Sequence, residues 1–199
     1  MKDFGYKKKG TGKFFKINKI GLFEYIGFFR YYHELRVEYA IIPIYSYIMK
    51  NSIGNGGQTE FVDLDGEEKM EKGMKSILEE IKNKIIPWFK KYEDLDTFFE
   101  EIVENDKLYL GTEIYGKYFF SDIYKYLFRA TTFAKFKKYS KIQENIDKVR
   151  EEYEKYSKTY DFYKDILKEV DELEEKLKEG EESVEKYIEE MEYKSLLDW

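Results

Sequence analysis

The chain has no cysteine, one histidine, two prolines and three alanines in 199 residues, and each scarcity excludes something. Without cysteine there can be no disulfide, no thiolate nucleophile and no Cys-based zinc site. The lone His33 rules out any centre that needs two imidazoles. No uninterrupted apolar run approaches the ~20 residues needed to cross a bilayer. The lysine-rich start, Lys2 to Lys19, leads into polar-interrupted segments and not an apolar block, so a secretory signal is not expected. The expected location is the cytoplasm, with no membrane partner.

What is abundant is aromatic and charged. Tyrosine (20) and phenylalanine (16) supply much of the 42% hydrophobic content, enough for a packed core and against global disorder. The length fits one domain, or a small domain with an appended arm. Lysine outnumbers arginine 31 to 4, a bias that suits an AT-rich bacterial or phage genome, or a heat-adapted one. The net charge of −6 is unevenly spread: residues 1–19 sum to +6 and residues 151–199 to −10. Opposite charge at the two ends speaks of partners more than of fold.

Residues 14–18 and 22–32 read as aromatic strands separated by the Lys19-Ile20-Gly21 turn. His33-Glu34-Leu35 reads as the next turn and residues 36–49 as a third strand. Pro43 cannot donate to a ladder, so that strand belongs at an edge or is bulged there. After a glycine-rich loop at 51–57, Phe61-Val62 adds a short strand. From Glu67 the period becomes helical, with Met70, Met74, Ile77, Leu78, Ile81, Ile85 and Trp88 on the expected buried face. Pro87 should kink or end this helix, and Asp94 or Asp96 should cap the next. Residues 117–139 form an aromatic, central helix.

The carboxyl-terminal third has the strongest pattern. Ile146, Val149, Tyr153, Tyr156, Tyr160, Tyr163, Leu167 and Val170 recur at alternating spacings of three and four, the seam of a coiled coil. The register runs through Ser157-Lys158-Thr159, so one helix is expected from 142 to 179, ended by Gly180 and about 55 Å long. A last helix, 182–193, is expected to fold back over the seam. The predicted class is therefore α+β: an antiparallel β-meander packed by helices over 1–140, then an acidic helical arm over 141–199, as a hairpin or coiled coil.

Gly5-Tyr6-Lys7-Lys8-Lys9-Gly10, then Phe14-Phe15-Lys16, then Ile85-Ile86-Pro87-Trp88-Phe89 ahead of a Leu/Phe helix, resembles an uncharacterised bacterial domain family. Its members open with Gly-Phe/Tyr-Lys-Lys-x-Gly and carry a Leu-Pro-Phe-like helix end. The resemblance covers about residues 4–150 and implies an antiparallel sheet with helices on one side. It supplies no catalytic residues, and the acidic arm is a departure from it.

Four clusters invite chemistry and each has a plainer reading. Gly5-x4-Gly10-Thr11 fails as a phosphate loop, because lysine must follow the second glycine and a helix must follow the loop. Asp63, Asp65, Glu67 and Glu68 suggest a cation loop, but acids at a helix start explain them equally. No metal or cofactor is expected. Arg30, His33, Glu34 and Arg36 could form a general base with an anion clamp only if the turn makes them converge. Lys7, Lys8, Lys9 and Lys13 with nearby rings form a candidate anion surface, while the acidity elsewhere argues against a nucleic-acid partner.

These observations favour a non-enzymatic binding protein of the bacterial or phage inhibitor or immunity type, engaging a basic protein. The named contact residues are Glu151, Glu152, Tyr153, Glu154, Tyr156, Tyr160, Asp161, Tyr163, Asp165 and Glu169. Acids steer such an encounter and tyrosines anchor it. The alternatives are a homodimer closing the heptad seam, and nucleic-acid binding or a small enzyme built on Arg30, His33 and Arg36.

Overall fold

The computed structural model describes residues 1–46, 48, 55–104, 122–156 and 163–198. It is α+β, as the residue pattern implies. Two compact units are present: residues 1–42 with 55–102, and residues 43–54 with 103–199.

The first unit holds the antiparallel sheet. Its strands are β1 (Lys7–Lys9), β2 (Lys13–Ile17), β3 (Phe23–Tyr31), β4 (Glu34–Ile42), β5 (Asn55–Gln58) and β6 (Val62–Asp63). They run in order from β1 to β5, and β6 also pairs with β4. β6 takes the start of β4 and β5 its later half. Thr59 fills the gap between them: it donates its N–H to Val37 O and accepts the Val37 N–H on Oγ1. The third strand stops at Ile42 and not at 49, one residue before Pro43, whose missing N–H cannot continue the ladder.

The register sorts the side chains by face. Ile26, Val37 and Tyr39 share one face, and Tyr39 makes edge contacts with Trp88 and Phe89 at 5.2 and 6.2 Å between ring centres. These rings come from α2 (Ile86–Lys91), which follows α1 (Glu67–Glu80) and a wide-turn segment, Ile81–Ile85. Pro87 sits where the wide-turn segment passes without a break into α2, and its missing N–H leaves one rung out of the helical ladder. α3 (Leu95–Phe98) is capped by Asp94, which accepts the Thr97 N–H at 2.9 Å.

The buried face of α1 is only part of the expected one. Gly73 and Ile77 are buried, followed by Ile81 and Ile85, whereas Met70, Met74 and Leu78 are exposed. Both sets have helical spacing, and the glycine decides. Gly73 lies against Val62 and Asp63, and there a side chain would crowd β6. Gly27 is a second close approach, since a Cβ there would overlap the Tyr25 hydroxyl and stand 2.7 Å from the Phe29 ring. Gly27→Ala is expected to cost about 1–3 kcal/mol through displaced rings. Urea unfolding checks this, and an unchanged midpoint would show that the rings relax freely.

The second unit is a helical bundle of α4 (Asp122–Lys135), α5 (Ile142–Tyr156), α6 (Tyr163–Glu179) and α7 (Glu181–Asp198). α4 packs on α5, α6 and α7, so the helix expected to belong with the sheet belongs here instead. The core draws Leu127 and Phe128 from α4, Ile146 and Val149 from α5, Ile166 and Val170 from α6, and Val184 and Ile188 from α7.

One long helix over 142–179 is not present, and this corrects the expectation of an extended arm. Arg150 on α5 bonds Asp171 at 2.7 Å and Glu174 at 3.1 Å on α6. In a single straight helix residues 150 and 174 would lie about 36 Å apart. The chain therefore reverses between Tyr156 and Tyr163, and the heptad stripe folds onto itself. Ile146, Val149, Tyr163 and Val170 are buried as a result, so these four seam residues are covered within the chain.

Candidate functional site

The acids of the helical unit divide into two groups. Some are committed to internal pairs. Glu174 accepts from Lys178, Gln143 and Arg150, and these bonds pull its carboxyl down to about 2. Glu185 takes Lys137 and the Tyr139 hydroxyl, and Glu192 takes Lys135. Others have no such partner. Among the described residues, Glu181, Glu182, Glu189 and Glu190 of α7 make no ion pair and all four are exposed.

Helical spacing sets Glu189, Glu190, Tyr193 and Leu197 along one outer face of α7. Tyr193 is 67% exposed and Leu197 68%, with Leu196 beside them. Val184, Ile188 and Met191 are buried and turn the opposite side of α7 inward. The outer face thus combines carboxylates outside any ion pair, the exposed Lys186 one turn before them, and a ring and a leucine that have no intramolecular cover.

The contact residues expected from sequence lie elsewhere. Glu151, Glu154 and Asp165 are exposed, and Tyr153 is half-buried. Glu152 is buried and paired with Lys155, Tyr163 is buried against Tyr124, and Glu169 is 0% exposed. Those three cannot meet a partner, because bundle packing consumes them. Tyr160 and Asp161 lie outside the described residues, as does the side chain of Tyr156. Glu169 has an internal role: it accepts the Ile48 N–H at 3.0 Å, and burial raises its carboxyl to about 7 against the bonds from Ser46 and Ile48.

The lysine cluster forms a β-hairpin surface. Lys9 pairs with Lys13 and Lys7 with Phe15, which puts Lys7, Lys9 and Lys13 on one face and Lys8 on the other. The Arg30–Arg36 cluster does not converge. Arg30 pairs with Leu35 and Arg36 with Phe29, so the two guanidiniums leave opposite faces. Arg30 bonds the Tyr32 carbonyl, Arg36 bonds Glu38, and His33 is exposed in the hairpin turn. No group of three or more metal-ligating side chains occurs among the described residues. Nor is any helix among them long and apolar enough to cross a membrane.

Sequence reasoning missed a polar cluster in the sheet-bearing unit. Glu24 of β3 is 1% exposed and accepts the Tyr6 hydroxyl at 2.5 Å. The Lys16 ammonium lies 3.8 Å from Glu24 and 3.6 Å from Glu93, and Lys19 also reaches Glu93 at 3.6 Å. Burial raises the Glu24 carboxyl, opposed by Tyr6 and Lys16; burial and Glu24 together drive the Tyr6 hydroxyl far above its ordinary value. These groups line a cleft of about 230 Å³ with Asp3, Phe4, Ile86, Phe89 and Lys90. The legible signal was Glu24 itself, the one acid inside the aromatic run of 22–29.

No family model, curated protein or solved structure matches the chain.

Proposed function

We propose that the helical unit docks a basic protein, with the outer face of α7 as the contact surface, and that the chain acts in the cytoplasm as an inhibitor or immunity-type protein. The observation that carries this reading is the pair of carboxylates outside any ion pair, Glu189 and Glu190, beside the uncovered Tyr193 and Leu197. Unneutralised acids on one helix raise the encounter rate with a cationic surface. A tyrosine with a leucine one turn on supplies the large, stiff contact area on which such interfaces turn. Internal stability does not require these side chains, because the core of α7 lies on its other side. Enzymatic chemistry has no comparable support on this unit.

The test starts from affinity capture out of the cells of origin, followed by titration calorimetry with the purified partner. The triple change Glu189→Lys, Glu190→Lys and Tyr193→Asp is expected to weaken binding at least ~30-fold, the scale of a lost anchor. Its helical signal and melting temperature should stay near those of the unaltered chain. Raising salt should weaken the unaltered pair in the same direction. A captured partner that is acidic, or a triple variant that binds as well as before, contradicts the reading.

A further inference from the structure

We infer that the open side of α1, the row Met70, Met74 and Leu78, is a contact between two copies of this chain, laid antiparallel about a two-fold axis at Met74. This does not depend on the α7 reading, since α1 belongs to the sheet-bearing unit.

The first ground is apolar surface in a row. Met70, Met74 and Leu78 follow one another four residues apart and are 48%, 37% and 48% exposed. Gly73 and Ile77, on the neighbouring side of the helix, are buried, and Gly73 rests on β6. The row therefore runs beside the covered face as a second apolar stripe that the chain leaves open. Methionine side chains adapt to the surface they meet, which suits a contact made by a helix against its own copy.

The second ground is the charge along the rim, which selects the occupant. At about 100° per residue, Glu67, Glu71, Lys75 and Lys82 border the solvent side of the stripe, acids towards its start and lysines towards its end. All four are exposed, and among the described residues none of them is in an ion pair. Glu71 and Lys75 have the spacing for a pair within the helix and do not form one. Glu68, Lys72 and Glu79 lie further round, and Lys69, towards the sheet, is held by Asp63 at 2.7 Å. A partner of one sign would match half of this rim and be repelled by the other half. A parallel copy would set like charge on like. An antiparallel copy turned about Met74 sets Glu67 against Lys82 and Glu71 against Lys75, and symmetry makes each pair twice. The stripe spans about 12 Å at 1.5 Å per residue, so the association is weak.

Sedimentation equilibrium of the full chain, from micromolar concentrations to about 1 mM, is expected to show a monomer passing into a dimer with a dissociation constant on the order of 100 μM. Met74→Glu sets two carboxylates together at the axis and should weaken the dimer at least ~10-fold. Glu71→Lys and Lys75→Glu, made singly, should each weaken it about 3–10-fold. Made together they should restore it, because the cross-pair is rebuilt with its signs exchanged. All four positions altered or paired here are exposed, so the helical signal should not change. Tyr193→Asp on α7 should leave the dimer as it was. The inference is overturned if the chain stays monomeric throughout, which would leave the stripe to a different partner, or if Met74→Glu leaves the dimer intact. It is equally overturned if the double exchange fails to restore association, or if Tyr193→Asp abolishes it.

Discussion

Glu169→Gln is expected to raise the melting temperature at pH 8 by roughly 3–6 °C, because about 1–2 kcal/mol is recovered. The reason is the sign of a buried charge. The Glu169 carboxyl lies at about 7 in the folded chain, against an ordinary value of 4.5, because burial penalises the charged form. The folded state therefore holds its proton more tightly than the unfolded state. The stability this provides is complete below 4.5 and disappears as pH rises through about 7, a swing of about 3 kcal/mol. Glutamine stays neutral throughout, keeps an acceptor for the Ile48 N–H, and can donate to the Ser46 hydroxyl. The gain should vanish near pH 5, and Glu172, the nearby acid that adds to the rise, should not reproduce it when changed to glutamine. A glutamine variant that melts lower at pH 8, or tracks the unaltered chain across pH, contradicts this account. Glu174 works in the opposite window: its lowered carboxyl stabilises above 4.5, and the benefit goes as pH falls through about 2.

Phe128→Ala should cost about 3–5 kcal/mol, the scale of an emptied aromatic site in a core. Phe128 is 1% exposed on α4, the helix that meets all three other members of the bundle. Its neighbours are fixed from several directions. The next residue, Arg129, donates to the Val103 carbonyl at 2.7 Å, and Thr132 meets the Tyr45 hydroxyl at 2.9 Å. A site held in this way cannot collapse to fill the hole. Urea unfolding followed by helical circular dichroism measures the loss, and a cost below about 1 kcal/mol would mean that the bundle repacks.

Much of the sheet was legible because aromatic runs and turns are local signals. β3 follows the segment 22–32 closely, β4 follows only the first part of 36–49, and of the two aspartates expected as caps Asp94 is the one that serves. β1 was not legible: three consecutive lysines have little strand propensity, and only pairing with β2 makes them a strand. α1 was legible in part: Ile77, Ile81 and Ile85 are buried as their spacing implies, while the exposure of Met70, Met74 and Leu78 goes with a contact of Gly73 on β6 that no local pattern encodes. The seam misled in another way. A heptad stripe says that a helix is covered, and here the cover is the next stretch of the same chain. Burial then claimed Tyr163 and Glu169 and left the outer face of α7 as an open acidic surface. The candidate site was visible only as charge and tyrosine content, since exposure depends on which helix turns back on which.

That reversal is the claim on which the α7 reading rests, and a distance between spin labels tests it most directly. Labels at Asp147 and Lys178 both sit on charged side chains, Asp147 on α5 and Lys178 on α6. A hairpin predicts a separation below about 25 Å, labels included, whereas an unbroken helix places the two sites about 46 Å apart. A short, narrow distribution is the expected result. A long one would contradict the account, restore the exposed tyrosine ridge and return the contact surface to residues 151–169.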